Sequence, residues 1–221
     1  MTQPIREYRT RGRFAVDLNF DGGEGADDAA LLRSVSTVNI ACGGHAGDER
    51  SMRQVARLAL SRGVAICAHP SYEDRENFGR APVALAPAAI EDLVKRQVEA
   101  LRNVVREEEG QLTGVKPHGA LYHAAAADGA VAAAVARAIR EVSPDLVVVS
   151  SPGSKLLEAA RAIVFERRLV ARDGQTIPVA ADTLCVHGDT PNADAIAAAV
   201  RKVLVDAEVI VRSLRGWRPA A

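Results

Sequence analysis

One layout recurs along this chain: a mostly apolar run, a histidine at its end, then a glycine, a proline or a small residue. The run from Val35 ends in Asn39-Ile-Ala-Cys-Gly-Gly-His45, and Val64-Ala-Ile-Cys-Ala-His69 leads into Pro70. Leu112-Thr-Gly-Val-Lys-Pro-His118 leads into Gly119, and Asp182-Thr-Leu-Cys-Val-His187 into Gly188-Asp189. Four of the five histidines thus stand where a strand gives way to a loop. Between these runs lie segments of helical period, and strand and helix alternate six or seven times. That alternation predicts a parallel α/β fold. In such folds the C-terminal strand ends share one face, where ligands bind. The histidines come from both halves of the chain. A closed barrel brings all such strand ends to one mouth, whereas an open sheet brings only those near a switch point. The expected architecture is therefore a (β/α) barrel, distorted or incomplete.

Strands are expected at 14–20, 36–41, 64–68, 112–117, 146–150, 182–186 and 208–212. Leu146-Val-Val-Val-Ser150 reads as a strand buried on both faces. Helices are expected at 49–62, 88–109, 129–142, 153–162 and 191–205, and a short one from Asp27 or Asp28 to about Arg33. Asp48 suits the N-cap of the 49–62 helix and Gly63 its stop. The 88–109 helix is the best patterned, with Ile90, Leu93, Val94, Val98, Leu101, Val104 and Val105 at helical spacing. Residues 163–165 and 168–170 could be short strands before a turn at Asp173-Gly174. A polar loop of functional length runs from Pro70 to Pro87. Residues 1–13 read as a flexible extension, 14–213 as a single barrel domain and 214–221 as a polar tail.

Charge excludes some partners. Lys plus Arg number 28, as do Asp plus Glu. A balanced chain gives no reason to expect nucleic acid or a membrane surface. No run approaches a membrane span, and the Arg-containing N-terminus lacks a secretory h-region. Three cysteines inside apolar runs (Cys42, Cys67, Cys185) suit reduced thiols and a cytoplasmic location.

Asp17 and Asn19, two apart on the first strand, point the same way. With Asp21, Glu24 and the four histidines they form a mixed carboxylate and imidazole set. Such a set suits a divalent metal or general acid–base chemistry, though no spacing is a metal signature by itself. Candidate catalytic residues are Asp17, His45, His69, His118, His187 and Asp189. Asp17, His45 and His69 are the candidate metal ligands. Lys116, two before His118, points inward and needs a carboxylate or an anionic substrate. Cys67 and Cys185 read as core fillers, and His123 as a helix-surface residue.

The motifs resemble the LamB/YcsF family. They are Asp17-Leu-Asn-Phe-Asp21 with Gly23-Glu24, Asn39 to Asp48, Ala68-His-Pro-Ser-Tyr72 with Asp74 and Phe78-Gly-Arg80, Lys116 to Tyr122, and Ala181 to Asp189. The match runs in family order over about 14–160 and 168–205. The resemblance implies a barrel of the glycoside hydrolase/deacetylase type. It implies ATP-dependent opening of 5-oxoproline (pyroglutamate) to L-glutamate by an A subunit working with B and C subunits. ATP, accompanied by Mg2+, is then the implied cofactor, although the chain has no Gly-x-x-x-x-Gly-Lys-Ser/Thr loop. Asn19, Asp21, Glu24, Asn39, Arg80 and Lys116 become candidate substrate-binding residues, the last cation or Arg80 suiting the substrate carboxylate. The chain departs from the family at Gly44, Ala81 and His123. It also keeps only Ala162 to Arg167 where the family has a further strand, loop and helix. Two alternatives therefore stand beside the A-subunit reading: a stand-alone metal-dependent amide or deacetylase-like hydrolase, and a non-catalytic homologue that has lost one barrel unit.

Overall fold

The computed structural model describes residues 15–149, 168–170, 176–178 and 182–213. The expected extension at 1–13, tail at 214–221, helix at 153–162, strand at 163–165 and shortened stretch at 162–167 lie outside the described residues.

Nine strands are described: β1 (Ala15–Gly22), β2 (Thr37–Ala41), β3 (Ala65–His69), β4 (Leu112–Val115), β5 (Val147–Val148), β6 (Arg168–Val170), β7 (Thr176–Pro178), β8 (Thr183–Val186) and β9 (Ile210–Val211). The helices are α1 (Asp28–Leu31), α2 (Glu49–Ser61), α3 (Pro87–Glu107), α4 (Gly119–Ala127), α5 (Gly129–Val142) and α6 (Ala193–Asp206). The main sheet runs β5-β4-β3-β2-β1-β8, every pair parallel. β6 and β7 form a separate antiparallel pair.

β1 has three partners. The Val16 and Leu18 carbonyls point to one side, because residues two apart share an orientation. Leu18 accepts from Ser36 N–H and Val16 from Arg212 N–H, so β2 and β9 share that edge, β9 below β2. The opposite edge carries β8, in register from Asp17↔Thr183 to Phe20↔Val186.

The sheet is curled. β4 and β8 are four strands apart in the order, which in a flat sheet would separate them by about 19 Å. Yet Lys116, just past β4, places Nζ 3.0 Å from Cys185 Sγ on β8. The inner face is polar and the outer face apolar. On β1, Val16, Leu18 and Phe20 are buried outward in the apolar core with the helices, while Asp17, Asn19 and Asp21 are buried inward.

Helix boundaries follow local chemistry. Asp48 caps α2 in a capping box with Ser51: Ser51 N–H donates to the Asp48 carboxylate at 2.8 Å, and Asp48 N–H to Ser51 Oγ at 2.8 Å. α3 buries Ile90, Leu93, Val94, Val98, Leu101, Val104 and Val105, and with them one polar residue, Gln97. One expectation changes. Within the described part of the run, 146–149, there is no strand buried on both faces: β5 spans two residues, and Val148 is 53% exposed. Among the described residues β5 pairs with β4 alone, so it is an edge strand with less to cover it. The helix that His123 was expected to face out from is α4, for which no span had been set; it starts at Gly119 in a left-handed conformation (φ 53°).

Candidate active site

β1 carries a polar ladder up the inside of the sheet. At its base, Asp17 accepts from Ser36 Oγ (2.7 Å), Thr37 Oγ1 (2.6 Å) and Thr183 Oγ1 (2.6 Å). Burial pushes its carboxyl up, against those hydrogen bonds. In the middle, Asn19 donates to Thr183 Oγ1 and accepts from Asn39 Nδ2 at 2.7 Å. At the top, Asp21 accepts from Lys116 Nζ at 2.6 and 2.9 Å and from Asn39 Nδ2 at 2.9 Å. Burial works against an ionised Asp21, but His69 and Lys116 outweigh it and hold the carboxyl well below the usual range. Lys116 is the mirror case: burial opposes its charge, and Asp21 more than restores it, so the ammonium is held above its ordinary value. Its three N–H groups are all engaged, two by Asp21 and one by Cys185.

Beside Asp21 three imidazoles and Glu24 converge. The His45 and His118 rings stack, 3.7 Å between centroids and 1° from parallel, with His69 edge-on to both. The ligand atoms of Glu24, His45, His69 and His118 lie within 4.8 Å of one another. The outer nitrogen of each ring is pinned by a group that fixes its proton. His69 Nδ1 meets the Lys116 carbonyl at 2.6 Å, and His118 Nε2 meets the Phe78 carbonyl at 2.9 Å. A carbonyl can only accept, so both nitrogens are N–H. His45 Nδ1 meets Ser71 Oγ at 2.9 Å, and that hydroxyl donates its own proton to the Tyr72 carbonyl, so Nδ1 donates too.

The inner nitrogens therefore carry lone pairs in the neutral rings. His69 Nε2 faces His118 Nδ1 at 3.0 Å, and His45 Nε2 faces Glu24 Oε1 at 2.7 Å. Two facing lone pairs repel unless a proton or a cation lies between them. Burial pushes His45 and His118 down to about 3, so those two rings resist taking a proton, and it pushes the Glu24 carboxyl up to about 7. Three imidazole nitrogens with one carboxylate, each ring oriented from behind, form a donor set that fits a borderline divalent cation such as zinc. Glu24, His45, His69 and His118 are the residues that would hold it.

The structure brings His45, His69 and His118 together but not Asp17, which was expected as a metal ligand. Asp17 lies four residues below Asp21, about 13 Å along the strand, and its oxygens are taken by hydroxyls. Glu24 takes its place in the cluster. His187 stands at the rim, its ring 60% exposed, with Nδ1 3.0 Å from Asp21 Oδ2; that contact raises its pKa. Arg80 and Asp189 form an ion pair above the cluster. His123 is exposed on α4. Cys67 is buried core as expected, but Cys185 also accepts from Lys116, and burial pushes its thiol up to about 12.

Two residues that orient the site were not singled out. Ser71 holds His45. Gln97 in turn clamps the Ser71 backbone, accepting from its N–H at 3.0 Å and donating to its carbonyl at 2.7 Å. A glutamine inside the apolar stripe of α3 was the available signal. Gly79 matters for a different reason. Its φ is 66°, and a Cβ there would lie 2.8 Å from His45 Cβ and 3.1 Å from His118 Cδ2. Gly79→Ala is expected to cost about 1–3 kcal/mol of stability. It should also disturb the stacked rings, so the urea midpoint and the cation affinity should fall together.

The curled parallel sheet with helices packed on its outer face is a fold shared with carbohydrate esterases. The family 4 carbohydrate esterase of Streptomyces lividans superposes with a TM-score of 0.55 at 13% identity, over 91% of this chain and 93% of that one. The chain belongs to the LamB/YcsF family, whose model matches residues 16–166 and 162–218. The lactam utilization protein of Thermus thermophilus is 34% identical with a TM-score of 0.83, over 90% of this chain and 99% of that one. The A subunit of 5-oxoprolinase from Methylococcus capsulatus is 39% identical over 255 residues, covering 93% of this chain and 98% of its own length. Since 93% of 221 residues fill those 255 positions, about 50 positions have no counterpart here. The two family matches meet at 162–166, the stretch expected to be shortened.

Proposed function

We propose that this chain is the A-type subunit of a 5-oxoprolinase, the subunit that carries the lactam-opening site. The observation that carries this reading is full-length similarity to relatives named as the A subunit of 5-oxoprolinase, 39% and 40% identical over more than nine tenths of the chain. The site's chemistry is compatible. Opening an unstrained lactam needs an activated water, stabilisation at the carbonyl oxygen and a proton for the departing nitrogen.

In this reading Glu24, buried and with its carboxyl pushed up to about 7 in the cation-free site, is the base that receives the proton of water there. His187, at the rim and favoured in its protonated form by Asp21, donates to the nitrogen as the C–N bond breaks. Asn39 and Asp21 fix the geometry beneath. A divalent ion held by Glu24, His45, His69 and His118 would supply Lewis-acid polarisation of the carbonyl when bound. ATP drives the reaction, held by a site other than a P-loop or by the B and C partners.

A stand-alone metal-dependent amide hydrolase is the second reading, favoured by the pinned imidazoles. Glutamate release from 5-oxoproline, with and without ATP and the partner subunits, separates the two. Release that requires partners and ATP supports the A-subunit reading; release by the chain alone supports the second. No release, with the partners proven competent beside the Methylococcus protein, overturns the A-subunit reading and points to a different substrate or a non-catalytic role.

A further inference from the structure

We propose that the mouth selects substrates bearing a free carboxylate, and that Asp189 occupies that carboxylate's place on Arg80 until substrate arrives. The inference rests on the amide-hydrolase reading of the site and adds the substrate's charge class and the residue that reads it. Lys116, Arg75 and Arg80 are cations that bear on the cluster's carboxylates and imidazoles, while His187 at the rim is held at Nδ1 by Asp21. Lys116 is buried with all three N–H groups taken, so it has none left for a ligand. Arg75 donates to the Gly43 and Gly47 carbonyls and holds the loop after β2. Arg80 remains. Its contact is a carboxylate on another loop, Asp189 beyond β8.

The position fits the role. Arg80 follows Phe78-Gly79, the segment that lies directly on the imidazoles. The Phe78 ring is 5.2 Å from His45 and 5.6 Å from His118, and the Arg80 guanidinium sits 4.9 Å from the Phe78 centroid. Gly79 is fastened below, its carbonyl accepting from Ala120 N–H at 2.9 Å. The guanidinium is thus held over the cluster by a rigid base while its charged end stays reachable. The side chains of Arg80 and Asp189 are 54% and 34% exposed. An ion pair so open to water is weak, so an incoming carboxylate can exchange for Asp189 at small cost. The exchange is chemically neutral for Arg80, which keeps one carboxylate partner throughout. An uncharged amide has no means of displacing Asp189 and meets a closed pair across the mouth.

A matched pair of lactams tests this on the full chain: L-5-oxoproline, and 2-pyrrolidinone, which lacks the carboxylate. Affinities would be measured by titration calorimetry for the wild type, Arg80→Gln, Arg80→Lys and Asp189→Asn. The wild type is expected to bind the acid more tightly than the neutral lactam. Arg80→Gln should weaken the acid roughly 10- to 100-fold, the usual loss of a charge-assisted hydrogen bond, and leave the neutral lactam unchanged. Arg80→Lys should recover part of the loss. Asp189→Asn should tighten the acid severalfold, because the competing carboxylate is gone. Equal affinity of the wild type for both lactams, absence of binding included, overturns the proposal. So does an equal loss of both in Arg80→Gln, or an Asp189→Asn variant that binds the acid no better. Selective loss of the acid in Arg80→Gln, combined with no glutamate release by the assembled enzyme, would leave carboxylate selection standing and defeat the 5-oxoprolinase reading. Release at an unaltered KM by the Arg80→Gln enzyme would do the reverse.

Discussion

Asp21→Asn is expected to lower the melting temperature by roughly 6–20 °C. The carboxylate is fully buried, and it is the counter-charge of an equally enclosed ammonium, Lys116. Removing one partner of a buried pair leaves the other charge stranded in low dielectric, at a cost of about 3–5 kcal/mol. In a chain of this size each kcal/mol moves the midpoint by about 2–4 °C. The loss is a large part of the roughly 5–15 kcal/mol that holds a typical domain folded. The same argument predicts its own rescue. Asp21→Asn combined with Lys116→Met removes both charges and should melt well above Asp21→Asn alone, since a hydrophobic replacement for a buried pair is often neutral. Circular dichroism melts of the wild type, both single variants and the double variant form the cycle. A single variant melting within about 2 °C of the wild type would show that water reaches Lys116 and screens it.

Glu24→Gln should leave the fold nearly intact and remove most of the chemistry. Glutamine keeps the shape, so the melt should shift by only a few degrees. Loss of a general base costs about 10²–10⁴-fold in rate, and glutamate release by the assembled enzyme should fall in that range. Cation binding gives a readout that needs no partner. Burial raises the Glu24 carboxyl to about 7, so the cation-free site is protonated below that pH and ionised above it. A ligand must shed its proton to coordinate, so affinity should strengthen as pH rises. For one such proton the affinity of zinc at pH 8 should exceed that at pH 6 by about tenfold. In Glu24→Gln that Glu24-linked slope should disappear and the affinity at pH 8 should drop. Retention of both the slope and the affinity would remove Glu24 from the ligand set.

The architecture was legible because its signal is periodic. Histidines at four strand ends and helices between them leave few alternatives to a parallel α/β sheet, and a buried strand such as β1 advertises its two faces residue by residue. What the sequence could not convey was depth. Asp17 and Asp21 lie on the same face and differ only in height. Height decides that one meets three hydroxyls and the other a lysine and a histidine. Likewise Glu24 and Lys116 were both readable as polar residues near the mouth. Their roles depend on the curl of the sheet, which no local pattern encodes. Partners across the mouth, such as Arg80 with Asp189, come from loops 109 residues apart. Gln97 is the opposite case, a residue whose misfit in an apolar stripe was visible and whose meaning only the Ser71 clamp supplies.

The three-sided bonding of β1 bears on how the molecule is made. β1 is completed by residues far along the chain: Asp17 N–H pairs with Asp182, and the Val16 carbonyl with Arg212. A nascent chain can join β1 to β2 early, but it cannot close the other edge until β8 has emerged, nor the base until residue 212 has. Long-range parallel pairing of this kind is slow to form and leaves strand edges open in the meantime. The growing polypeptide must therefore carry an aspartate-lined strand, half paired and missing its lysine until β4 arrives, through much of its own translation.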